Sequence, residues 1–401
     1  MNRNQLQNEV NDWVEEEIIS AQQAEKILAK YPAQNRSYLL IMFASLFIGL
    51  GFLTFIASNL QSLPDMVNMA IILVFMVGYY LAGEWVYRKR SEMLGIGLLI
   101  IGLLIFGAGI FLTGQMYHYS YYQAFPFIIW SIAAFLLFMI YKRVPLYVVA
   151  ITILTIGQFY QFMTYHTFNL WLFALLLIGF SHYTYHYANK LYSYLFALSL
   201  IVQSLMLVFV NSYDYYWLIV LFLIVYIISE VVGKRAIEEP FKWLALLSIF
   251  IVTCIETFFI SEIINFVEKN WLFFFVWLFI FSIAILIKYF KKQIYTYTQL
   301  VLFIPILFAG EWADVLSMIA LFVFSLGLLF HGYRIEDNET ISYGTLAFLI
   351  STFIAYIHLA WAFLDKSLFF FIGGIILFTL SYFLEKKRRR LKADNSEGVE
   401  K

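Results

Sequence analysis

The sequence is a succession of long apolar segments separated by short polar connections. The hydrocarbon core of a bilayer is about 30 Å thick, and an α-helix crosses it in about 20 residues. Lipid offers no hydrogen-bond partners to the backbone, so a chain that crosses it in segments of this length has to be helical. The sequence therefore predicts an all-α fold, a polytopic integral membrane helical bundle of about fourteen transmembrane helices.

Composition and segment lengths support this class. Of the 401 residues, 63% are hydrophobic and 13% are charged, whereas soluble domains carry about 25% charged residues. Pro305 falls inside the eleventh segment, where it should kink the helix and free a backbone carbonyl. Spans are predicted near residues 38–59, 67–87, 94–113, 124–141, 145–162, 169–186, 191–210, 215–232, 241–260, 271–289, 294–309, 313–332, 341–360 and 367–384.

The distribution of lysine and arginine predicts the orientation. With fourteen spans, both termini and the connections on their side carry 24 of the 26 Lys and Arg residues, and only Lys269 and Lys366 fall on the other side. Positively charged connections stay in the cytoplasm, so both termini are predicted to be cytoplasmic. The first 37 residues lack an apolar core followed by a cleavage site, so we expect the first span to act as an uncleaved insertion signal.

Three parts of the chain are predicted: a cytoplasmic amphipathic helical hairpin (1–37), a transmembrane domain (38–385) and a basic cytoplasmic tail (386–401) that we expect to be disordered. In the hairpin, Ser20 and Gln23 have the spacing of a capping box. The hairpin could dock on the membrane domain, lie in the interface or bind a cytoplasmic partner. The basic tail is expected to anchor the topology and to contact anionic lipid.

Glu256 is the most informative candidate residue because it lies inside the ninth segment. A charge near the bilayer centre costs about 2.5–3.5 kcal/mol on insertion scales, so such residues face a cavity or a partner. The competing interpretation is a structural hydrogen bond or a side chain that snorkels to the interface. Glu311 and Asp314 follow Pro305, and together they could form a cation- or substrate-binding corner or simply a tight outer turn.

Other polar residues gather on the predicted outer side, where they could line the same cavity or merely solvate loops. Gln115 and His118 belong to an aromatic loop that suits an interfacial belt as well as sugar or headgroup binding. The remaining candidates are Asn59, Asp65 and His358. Gly95, Gly102 and Gly109 form a stripe on one helix face, which is typical of close helix packing but also of a permeation-lining helix.

Several classes of site are not indicated. The chain has no Walker A loop, no GxGxxG or GxSxG motif and no HExxH motif. Cys254 is the single cysteine, so neither an internal disulfide nor a multi-cysteine metal site is possible within the chain. We predict no metal site, no cofactor and no nucleic-acid partner.

Several short motifs of the N-terminal third occur together, and they are Trp13–Leu28, Tyr31, Gly49–Asn59, Leu63–Pro64, Gly107–Gln115, Tyr117–His118 and Trp130. With these motifs the chain resembles, over roughly residues 10–150, the bacterial membrane protein family catalogued as domain of unknown function 2157. Leu60 departs from the tryptophan that this family leads us to expect after Asn59. The resemblance implies a membrane topology and a bacterial envelope setting, and it implies no activity. We therefore expect the protein in the bacterial inner membrane.

Three functions remain open. The leading hypothesis is a transporter or substrate-binding membrane protein with an outward-facing polar cavity, coupled to an ion or proton through Glu256 and Glu311. The second is a membrane-embedded transferase acting on lipid-linked substrates at the outer face, with Asp65, His118 or His358 as acid or base. The third is a non-catalytic assembly or sensor protein whose N-terminal hairpin binds a partner. Partners expected under these hypotheses are the lipid bilayer and a small-molecule, ion or lipid-linked substrate.

Overall fold

A computed structural model describes residues 18–30, 37–59, 64–117, 123–210, 214–263 and 270–360, with single positions among 7–14 and 371–382. No β-strand occurs in these residues, and nearly all of them are helical. The chain packs as two compact units, Met1–Tyr121 and Tyr122–Lys401. The protein is therefore an all-α helical membrane protein, as the sequence predicts.

The first unit contains four described helices. These are α1 (Ala21–Lys30), α2 (Ser37–Asn59), α3 (Asp65–Lys89) and α4 (Glu92–Met116). The predicted capping box is confirmed before α1, because the Ser20 N–H donates to Gln23 Oε1 at 2.9 Å and the Gln23 N–H donates to Ser20 Oγ at 3.3 Å. This reciprocal pair satisfies two donors that a helix start would otherwise leave free.

The glycine stripe on α4 packs against α3. A Cβ atom added to Gly95 would lie 2.5 Å from the backbone of Tyr87, one added to Gly102 would lie 3.4 Å from the Tyr80 ring, and one added to Gly109 would lie 3.0 Å from Ile72. The absence of side chains at these positions lets the two helices approach closely, which is how helices associate in lipid. Of the two interpretations of the stripe, the structure shows close packing.

The second unit is longer. Its described elements are α5 (Phe125–Tyr141), α6 (Val144–Tyr165), α7 (Leu170–Ala174), a π-helical segment (Leu175–Phe180), α8 (Ser181–Tyr187), α9 (Lys190–Val210), α10 (Trp217–Val232), α11 (Arg235–Ile263), α12 (Trp271–Phe290), two 3₁₀ segments (Ile294–Phe303 and Ile306–Trp312), α13 (Ala313–Arg334) and α14 (Asn338–Ala360).

Each predicted span from the first to the thirteenth corresponds to helical structure. Eight described helices are long and apolar enough to cross a membrane, namely α3, α4, α6, α9, α11, α12, α13 and α14. Two more, α5 and α10, are apolar but shorter, with 17 and 16 residues. The fourteenth predicted span, 367–384, lies outside the described residues except for single positions.

The eleventh span differs from the prediction of one kinked α-helix. It consists of the two 3₁₀ segments, separated by Ile304 and Pro305, and Ile304 is extended with φ −80° and ψ 126°. Proline has no N–H to donate and its ring clashes with the preceding turn, so the helix is interrupted rather than bent. Gly310 adds a second irregularity, with φ 64° and ψ −132°, a conformation that glycine tolerates. Long 3₁₀ runs are uncommon and often mark strain or a functional hinge.

Candidate functional site

Glu256 lies on α11 and is buried, with 4% of its surface exposed. The Tyr215 hydroxyl, just before α10, donates to Glu256 Oε1 at 3.4 Å. The backbone N–H of Leu307, in the second 3₁₀ segment, also donates to the carboxylate. The buried carboxylate therefore lies against the interrupted eleventh span, two residues after Pro305.

The break itself is satisfied from both sides by side chains of neighbouring helices. On the N-terminal side, the Trp277 indole N–H of α12 donates to the carbonyl of Phe303 at 2.7 Å. On the C-terminal side, Glu256 accepts from Leu307. Non-helical backbone inside a membrane persists only where protein groups or a water-filled cavity satisfy it. At the break, a side chain of another helix bonds the Phe303 carbonyl, and the sequence did not reveal Trp277 as that partner.

Asp314 and His358 also meet. Asp314 lies in the first turn of α13 and His358 near the end of α14, with Asp314 Oδ2 3.8 Å from His358 Nε2. Asp314 Oδ1 in addition accepts from the Val315 N–H at 2.9 Å. Glu311 belongs to the second 3₁₀ segment, and its side chain lies outside the described part of the structure.

The remaining candidates belong to the first unit. Asp65 is the first residue of α3 and Gln115 lies in the last turn of α4, and both are exposed. Asn59 ends α2, but its side chain is not among those described, and His118 lies outside the described residues. A single outer cavity shared by all eight candidates stays a prediction.

A second group of charges, which sequence reasoning missed, surrounds Glu230 near the end of α10. Glu230 is 2% exposed, and its Oε1 lies 3.3 Å from Lys242 Nζ and 3.5 Å from Lys288 Nζ. Its Oε2 lies 3.4 Å from Lys291 Nζ. Lys288, fully buried, also donates to Thr296 Oγ1 at 2.7 Å. In the sequence these lysines indicate only topology, and the signal that could have found the cluster is Glu230 itself, an acidic residue at the end of an apolar span.

An apolar groove of about 610 Å³ lies between α9, α11, α13 and α14, with Trp243, Cys254 and Tyr343 among its lining residues. Its lining is almost entirely hydrophobic. None of its lining residues is charged. Within the described residues, no group of three or more His, Cys, Asp or Glu side chains is placed to hold a metal ion.

Comparison with known proteins gives a family match in the N-terminal part of the chain. Residues 11–147 match the family model described as "Predicted membrane protein (DUF2157)". The resemblance read from Trp13–Leu28 and Gly107–Gln115 is thereby confirmed over nearly the range predicted. The matched segment covers α1 to α5, and Glu256 and the Glu230 cluster lie beyond it. No curated protein and no solved structure matches the chain.

Proposed function

We propose that this protein is a multi-pass transporter of the bacterial inner membrane, with both termini in the cytoplasm, and that Glu256 and the break at Pro305 form its ion- or substrate-binding point. The observation that carries the proposal is a buried carboxylate on an apolar helix that accepts from the backbone N–H of Leu307, beside the break at Pro305. Ionisable residues inside spans mark ion and substrate pathways. Discontinuous helices with unwound backbone form the binding sites of many transporters.

The carboxylate retains capacity for a ligand. An ionised carboxylate has about four lone-pair sites, and Glu256 receives the Tyr215 hydroxyl and the Leu307 N–H. A cation could therefore bind at the remaining sites, helped by the carbonyl groups of the interrupted backbone. The Asp314–His358 pair, with 3.8 Å between Oδ2 and Nε2, supplies a second carboxylate.

Glu256→Gln tests the role of the charge. The purified chain is reconstituted in proteoliposomes, and Na⁺, K⁺ and H⁺ flux is followed with ion-sensitive dyes under imposed gradients. We expect the wild type to exceed protein-free liposomes for at least one of these ions, and Glu256→Gln to lower that flux about tenfold or more, because hydrogen bonds to a charged group contribute about 1.5–3 kcal/mol. Glu336→Gln, at an exposed carboxylate between α13 and α14, is the matched control and should leave flux unchanged.

The same variants separate transport from a structural role. If Glu256 only holds the Leu307 N–H, the glutamine amide oxygen accepts the same bond, and Glu256→Gln would keep both wild-type stability and wild-type flux. That outcome, or a wild-type protein with no flux of any of the three ions, would show the proposal to be wrong. Glu256→Ala removes the acceptor altogether, so its lowered thermal stability measures the structural part of the interaction.

A further inference from the structure

We propose that the lysines around Glu230 form an anion site for a phosphate group, at the helix ends that the charge distribution predicts to be cytoplasmic. The site is separate from Glu256 and is assembled from α10, α11, the end of α12 and the first 3₁₀ segment. Its charged members are Glu230, Lys242, Lys288 and Lys291.

Charge counting gives the first argument. All three ammonium groups lie within 3.5 Å of one carboxylate. Among these four groups, three positive charges and one negative charge leave a formal excess of two, and two of the four, Lys288 and Glu230, are almost fully removed from solvent. Buried charges are costly unless paired and hydrogen-bonded. A dianionic or monoanionic phosphate group would balance the positive charge that Glu230 alone leaves uncompensated.

The burial of two of its side chains distinguishes this cluster from a patch of charges on the protein surface. The side chains of Lys288 and Glu230 are 0% and 2% exposed, whereas those of Lys242 and Lys291 are 16% and 34% exposed. The cluster therefore has a closed floor, formed by Lys288 and Glu230, and an edge that solvent reaches, formed by Lys242 and Lys291. A ligand entering from this edge would meet two ammonium groups first.

His331 supplies an independent observation. Its Nδ1 atom is buried and has no hydrogen-bond partner among the described residues. Lys242 and Lys288 act on the imidazole, on α13, as positive charges, and the Asp337 carboxylate acts on it with the opposite sign. An anion held by these lysines would offer this nitrogen an acceptor, which neither lysine can, because an ammonium group only donates.

The chemistry selects a phosphate group over other anions. Lysine binds phosphate as a point charge, and several ammonium groups around one position match the three or four oxygens of a phosphate better than a single halide. Basic pockets between membrane helices on the cytoplasmic side bind phospholipid headgroups. A free phosphate and a phospholipid headgroup share this chemistry, so the experiment has to distinguish the two sources.

The first arm uses inorganic phosphate and the purified full chain in detergent. Thermal stability and calorimetry are measured against phosphate at constant ionic strength, with chloride as the reference anion. Lys291→Gln and Lys242→Gln should each weaken phosphate binding about tenfold, the effect of one lost charge-assisted contact. Lys292→Gln is the matched control, since Lys292 is the exposed neighbour of Lys291 and no member of the cluster.

The second arm uses nanodiscs of phosphatidylcholine with or without phosphatidylglycerol, read by native mass spectrometry for lipid that stays bound. Phosphate binding in the first arm, without retained phosphatidylglycerol in the second, identifies a free anion as the ligand. Retention of phosphatidylglycerol that Lys291→Gln abolishes, without a response to inorganic phosphate, identifies a headgroup. The proposal fails if neither ligand binds, or if Lys292→Gln weakens binding as much as Lys291→Gln does.

Discussion

Asp337 stands one residue before α14 and caps it. Its Oδ1 accepts from the Glu339 N–H at 3.3 Å and its Oδ2 from the Thr340 N–H at 3.1 Å, while the Thr340 hydroxyl donates to the same oxygen. The first N–H groups of a helix have no partner within it, so this side chain replaces two of the missing bonds. Asp337→Ala should lower the free energy of unfolding by about 0.5–2 kcal/mol. Chemical unfolding in one detergent checks this, with Glu336→Ala on the adjacent exposed residue as the control.

The same residue predicts a pH dependence. The Thr340 hydroxyl, followed by the backbone N–H groups of Thr340 and Glu339, holds the pKa of Asp337 below its usual value, against a smaller opposing effect of burial. A carboxyl with a lowered pKa in the folded state stabilises the fold above its unfolded pKa, and this contribution is lost as pH falls through the folded pKa. Stability should therefore decline on acidification in the wild type, and Asp337→Ala should decline less. Parallel pH profiles of the two proteins would contradict this.

At the scale of single elements, α3 and α4 show how much a missing side chain matters. A Cβ on Gly95 would overlap the Tyr87 backbone, which cannot rotate away, whereas a Cβ on Gly78 meets nothing within 4 Å. Overpacking costs about 1–3 kcal/mol, which outweighs the gain of up to about 1 kcal/mol that alanine has over glycine in a helix interior. Gly95→Ala should therefore lower the thermal stability, while Gly78→Ala should leave it unchanged or raise it. Equal effects of the two substitutions would argue against close packing of these helices.

The interrupted eleventh span shows what the sequence predicts at this scale and what it does not. Pro305 identifies the position of the break, because its chemistry is local. The partners of the break are Trp277 and Glu256, which lie 28 and 49 residues earlier in the chain. Nothing in the local pattern of either helix indicates which face meets the eleventh span. The 3₁₀ geometry was also missed, because an apolar run of this length has the same composition as an α-helix.

For the molecule as a whole, the all-α class and the positions of the first thirteen spans follow from the lengths of the apolar segments, but charge clusters do not. Lys288 and Lys291, at the end of α12, carry the sequence signature of a topology anchor. In the folded chain both lysines form ion pairs with Glu230, about 60 residues earlier, and so belong to a buried ion cluster. Sites assembled from several helices depend on rotation about each helix axis, which an apolar segment hardly encodes because most of its residues are interchangeable in lipid.

Orientation is the prediction that concerns the molecule as a whole, and Cys254, the only cysteine, makes it testable. In a Cys254→Ser background, single cysteines replace Asp65 or Asp214 on the predicted outer side, and Lys89 or Asn338 on the predicted cytoplasmic side. All four positions are exposed in the structure. A membrane-impermeant maleimide should label the first two in intact cells and the last two only after permeabilisation.

The reverse pattern would invert the topology and place Lys242, Lys288 and Lys291 on the outer side, against the positive-inside rule. If all four positions are labelled from one side, the predicted number of spans between them is wrong. An odd number of predicted spans separates Asp214 from Asn338, and one of them is the interrupted segment 294–312. If that segment does not traverse the bilayer, the number becomes even and both residues lie on the same side.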